Sequence, residues 1–143
     1  MNAIEKIAAI LKQYPGVRYE FRADAIRALA PDENGYEVAL LMYPQPQYTV
    51  CLATWHMEFT NEDDAIGTFL GGLSEAYRLE VTSRGNVDYL WRIQYWESDG
   101  WRSGSAVGIF RINFWRRKQI RYLQNHILPL PEENTDRNDV RLD

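Results

Sequence analysis

Reactive side chains are scarce in this chain. It holds one cysteine, Cys51, and two histidines, His56 and His126. A single cysteine excludes an intramolecular disulfide. There is no G-x-S-x-G elbow, no P-loop, no G-x-G-x-x-G, no H-E-x-x-H and no cysteine pair. That inventory argues against an enzyme, and no cofactor or metal is expected. Long apolar runs are also missing. None approaches the roughly 20 residues that span a bilayer, and no charged stretch followed by an apolar one opens the chain as a signal peptide would. No membrane association is expected, and the default compartment is the reducing cytoplasm. Excess positive charge is absent too. The net charge is −4 and the pI about 5.2, so no overall field gathers nucleic acid, which is not an expected partner.

Aromatic residues are plentiful. They make up 13% of the 143 residues, with five Trp and nine Tyr. Such side chains serve cores, pockets and interfaces alike, so their number alone does not choose a role. The length suits one domain with a core that needs no disulfide. One α+β domain is expected over 1–130. Residues 131–143, with five acidic and two basic side chains, are expected to be a mobile acidic tail, because they offer too little apolar surface to offset ordering.

Asn2 to Tyr14 reads as an amphipathic helix, with Ile4, Ile7, Ala8 and Leu11 on one face, Asn2 as N-cap and Pro15-Gly16 as the stop. Val17 to Arg22 alternates like a half-buried strand. Asp24 to Ala30 reads as a short helical stretch before Pro31. Tyr36–Tyr43 and Tyr48–Trp55 form a hairpin around the proline-containing 44–47 loop. Val38–Met42 is apolar on both faces, so its second face needs a cover of its own. Thr60 to Tyr77 reads as a helix with a capping-box start at Thr60 and Asp63. Its Gly67, Gly71 and Gly72 each cost about 1 kcal/mol relative to Ala. Tight packing on the sheet explains them most simply, and a self-association or ligand contact is the alternative. Arg78 to Asn113 reads as a three-strand meander in which Trp96 faces Trp101 across a hairpin turn. A further helix is expected from near Trp115 to Pro129, carrying Ile120, Leu123 and Ile127.

The expected fold is therefore α+β, a mainly antiparallel five- to six-stranded sheet with two or three helices packed mostly on one face.

Three surfaces are candidates for function. The first is the sheet itself. If an apolar face is left uncovered, it would bury itself on a protein partner or on a second copy in a homodimer. A non-enzymatic protein-binding or self-associating module is accordingly the first reading. The second is a small-ligand pocket, or an unrecognised enzyme site, between sheet and helices. Tyr89, Trp91, Tyr95 and Phe69 would line it, with Arg92 or His56 as polar handles. The third is an anion site at Arg116, Arg117 and Lys118. Three cations at the start of a helix would be unfavourable there and would need an anion. The acidic run Glu62-Asp63-Asp64 or the acidic tail could supply it internally, and a phosphate-bearing partner is the external alternative. His56 with Glu58, and Asp63 or Asp64, could supply metal ligands, but their spacing matches no known site. A surface strand end beside an acidic helix start explains these residues better. Cys51, inside an apolar strand, should be an inert thiol.

Overall fold

The computed structural model describes residues 1–109 and 115–129. The expected tail and the end of the expected meander, 110–113, lie outside these. Asn2 caps the first helix, α1 (Ala3–Leu11), in a full capping box with Glu5. The Asn2 Oδ1 accepts from the Glu5 N–H at 2.9 Å, and the Glu5 carboxylate accepts from the Asn2 N–H. Ile4, Ile7 and Leu11 are buried along one stripe.

Strands β1 (Tyr19–Arg22), β2 (Ala25–Ala28), β3 (Val38–Tyr43), β4 (Gln47–Leu52) and β5 (Trp55–Phe59) follow. They form one antiparallel meander in chain order. Two expectations change here. Residues 24–30 are not helical, because β2 alternates Ile26 and Ala28 inward with Arg27 outward, and pairs on both sides. The 48–55 segment is not one strand. Ala53 takes a left-handed φ of 53° and donates its N–H to the Glu37 carbonyl, which turns the chain into β5.

Helix α2 (Glu62–Leu73) is shorter than expected. Its N-cap is Asn61, whose Oδ1 accepts from the Asp64 N–H at 2.9 Å, and Tyr77 already belongs to the next strand. Both helices pack on the first sheet, with α2 across β3 and β4 and α1 across β2. The Lys6–Glu62 ion pair at 3.1 Å links the two helices. Gly72 serves this packing, and Gly71 makes room for Tyr77 of the next strand. A Cβ on Gly72 would stand 2.8 Å from Leu52 Cδ2, and one on Gly71 would stand 2.4 Å from the Tyr77 ring. Gly67 meets nothing within 4 Å.

The second half forms a sheet of its own, so in place of the single sheet expected from the sequence the described residues hold two, of five and four strands, with two helices. Its strands are β6 (Tyr77–Arg84), β7 (Val87–Glu97), β8 (Gly100–Gly108) and β9 (Lys118–Leu123), in the order β8-β7-β6-β9. The expected C-terminal helix is replaced by β9 and an irregular stretch. Residues 118–123 pair antiparallel with β6, putting Ile120 opposite Thr82 and Tyr122 opposite Glu80. The free edge of β6 offers six residues an inter-strand ladder, and it overrides an apolar spacing that also suits a helix. Trp55 plugs the junction of the sheets. It is fully buried, and its Nε1 donates to the Ser105 carbonyl and hydroxyl oxygens, each at 3.2 Å.

Candidate functional site

Of the residues proposed for a pocket, Tyr89, Trp91 and Tyr95 lie on β7 and Phe69 on α2. Phe69 is wholly buried in the core. The Tyr95 ring packs edge-on against Tyr77 with centroids 5.0 Å apart. Trp91 lies half-buried against the core, between Val81 and Val107 on the neighbouring strands. Tyr89 sits in β7 where the pairing with β6 slips by one residue, between Thr82 and Ser83. Arg92 donates to the Gly104 carbonyl at 2.9 Å. His56 stands on the helix-free face of the first sheet, opposite Cys51, with Nδ1 3.1 Å from the Thr54 carbonyl oxygen. Among the described residues, no three His, Cys, Asp or Glu side chains converge as metal ligands would. No helix there is long and apolar enough to cross a membrane.

The second sheet shows what its strand alternation does to polar and aromatic residues. Leu79, Val81 and Ile93 point into the core and are fully buried. Their neighbours point the other way. Arg78 emerges from β6 between two rings, its guanidinium 4.2 Å from the Trp101 ring centre and 4.0 Å from that of Tyr122. Each contact has the geometry of a cation–π pair. Arg78 Nε also donates to Gln94 Oε1 at 2.6 Å, and Gln94 Nε2 donates to Ser103 Oγ at 3.2 Å. The first bond ties the guanidinium to Gln94, which Ser103 holds in turn. Trp96 meets Trp101 across the β7–β8 turn with ring centroids 5.4 Å apart, in the register expected from the sequence. Trp96, Ile120 and Tyr122 remain about half exposed, at 49%, 49% and 48%. Five large side chains from four strands thus share one open face.

One end of this sheet is strongly basic. Arg116 and Arg117 precede β9, and Lys118 begins it opposite Arg84. Arg84 Nη1 donates to the Arg116 carbonyl at 3.1 Å, and the Gly85 N–H donates to the Arg117 carbonyl. These bonds clamp the basic segment to the β6–β7 turn. Because the segment leads into a strand, the argument from a helix dipole does not hold. Glu62 and Asp64 do not compensate it either. Glu62 pairs with Lys6, and Asp64 lies in the Asn61-capped first turn of α2. Among the described residues no carboxylate forms an ion pair with Arg116, Arg117 or Lys118.

The two apolar faces of β3 are not covered alike among the described residues. Val38 and Leu40 are fully buried beneath the helices, whereas Ala39 and Leu41 lie half-buried on the other face. There they floor an open concavity of ≈ 510 Å³ rimmed by Glu20, Arg22 and Arg27. Arg27 is paired with Glu20 and Glu37.

Sequence reasoning missed Arg78 and Tyr122. The alternation of Arg78, Glu80 and Thr82 against Leu79 and Val81 marks Arg78 as outward-facing. Nothing local brings Tyr122 beside it, because that neighbour exists only once β9 pairs with β6. The chain matches no protein-family model, and no curated protein or solved structure is significantly similar to it.

Proposed function

We propose that this protein is a non-enzymatic protein-binding module, and that the open face of the second sheet is its binding surface. The arrangement of Arg78 between Trp101 and Tyr122, flanked by half-exposed Trp96 and Ile120, carries the reading. Trp, Tyr and Arg are the residue types that dominate binding energy at protein interfaces. Here they are immobilised by one another and by Gln94, so little side-chain entropy remains to be lost on binding. Apolar surface left open in this way gains by burial against a partner.

The test is site-specific photo-cross-linking in the native cell. A photoreactive residue at position 96 or 120 should give a discrete protein adduct, while one at Glu5 on α1 gives none. Adducts at all three positions alike, or at none, would reject the reading. Arg78→Ala should diminish the adduct at position 96 without unfolding the chain.

A further inference from the structure

We infer that the partner binds as an extended acidic segment of another protein, adding a strand to the outer edge of β9. This rests on the binding surface proposed above and specifies what occupies it.

β9 is hydrogen-bonded along one side only among the described residues, to β6. Every residue from Lys118 to Tyr122 is exposed. An open edge offers a row of backbone donors and acceptors to an incoming strand, and the side chains beside it select which strand. On β9 that selection has two parts. Lys118, Ile120 and Tyr122 alternate onto the open face, so an added strand would set its own alternate side chains against Ile120 and Tyr122. At the start of β9 stand Arg116, Arg117 and Lys118, cations with no carboxylate partner among the described residues. Asp88, one register step from the Arg84–Lys118 pair, is already held by Arg121 in two hydrogen bonds of 2.6 and 2.7 Å. Charge complementarity therefore calls for acidic residues in the incoming strand.

The same features disfavour two other occupants. A second copy of β9 carries no carboxylate to meet Arg116, Arg117 and Lys118, which leaves the charge requirement unmet in pairing with itself. Single-stranded nucleic acid needs free aromatic faces on which bases stack. One face each of Trp101 and Tyr122 is taken by Arg78, and the chain as a whole is anionic.

A random dodecapeptide display library panned against the full chain tests this. Enriched sequences should alternate apolar residues with Asp and Glu. The best peptide, made synthetically, should slow hydrogen exchange at the outward-pointing N–H groups of β9. Added salt should weaken it. The triple change Arg116→Gln, Arg117→Gln and Lys118→Gln, at exposed positions that leave the thermal melt in place, should weaken binding by about tenfold or more. Failure to enrich any sequence, enrichment without acidic bias, unaltered affinity in the triple variant, or unchanged β9 exchange would each overturn the inference. So would tighter binding of an oligothymidylate than of the peptide. If cross-linking at position 96 still succeeds in those cases, the open-face reading survives and only strand addition is rejected.

Discussion

Asn125 completes the backbone hydrogen bonding of Tyr36, a residue 89 positions earlier. Its Oδ1 accepts from the Tyr36 N–H at 3.0 Å, and its Nδ2 donates to the Tyr36 carbonyl at 2.9 Å. The same Nδ2 donates to the Gly72 carbonyl near the end of α2, also at 2.9 Å. The side chain is wholly buried, so it joins the 31–36 loop, α2 and the segment after β9 where no water can substitute. Gly35 makes the approach possible, since a Cβ there would stand 2.4 Å from Asn125 Oδ1. Asn125→Ala should cost about 3 kcal/mol, because it leaves buried peptide groups unpaired. Asn125→Asp should cost at least as much, since a carboxylate cannot donate to two carbonyls. Urea midpoints of the two variants check this.

Two glycines of α2 should respond oppositely to the same substitution. Gly67→Ala meets open space and should stabilise the chain by up to about 1 kcal/mol through helix propensity. Gly71→Ala gains the same propensity but drives a methyl group into the Tyr77 ring. That ring is held against Tyr95 and cannot swing away freely. Overpacking of this kind costs about 1–3 kcal/mol, so the net effect should be destabilising. Thermal melts of both variants would decide the matter, and equal shifts would contradict the packing described.

The Asp88–Arg121 pair should make stability depend on acid pH. The hydrogen bond from Arg121 holds the Asp88 carboxyl below the usual carboxylate range, and burial opposes this more weakly. A carboxyl with a lowered folded-state pKa contributes stability above its unfolded value, near 4, and loses it as pH falls through the folded value. Both side chains are substantially exposed, at 49% and 33%. Solvent screening therefore limits the contribution to about 0.5–1 kcal/mol. Asp88→Asn should lose that amount at neutral pH and nothing once the wild-type carboxyl is protonated. Urea titrations across acid pH measure it, and a pH-independent difference would contradict the assignment.

Cys51 should react slowly with alkylating reagents. Burial first, and the Glu37 carboxylate second, push its thiol up from the ordinary value, which lowers the thiolate fraction at neutral pH. Iodoacetamide should modify the folded chain more slowly than the urea-unfolded chain. Glu37→Gln should increase the folded-state rate modestly. A folded rate equal to that of free cysteine would rule out this environment.

Local sequence determined a good deal here. The α1 stripe with its Asn2 cap, the β3–β4 hairpin and the Trp96–Trp101 pairing all follow from short-range periodicity and turn chemistry, which act within a few residues. The halving of the strands into two sheets, the strand at 118–123 and the placement of Arg78 between two rings do not. Residues 115–129 carry an apolar spacing that suits a helix as well as a strand, and only the free edge of β6 chooses. Residues 24–30 have the same ambiguity, and β1 and β3 resolve it. The face that carries Arg78 is therefore a product of tertiary pairing. Arg78, Trp101 and Tyr122 lie on β6, β8 and β9, whose order around β7 is fixed by hydrogen-bonded register, a long-range constraint that no local pattern encodes.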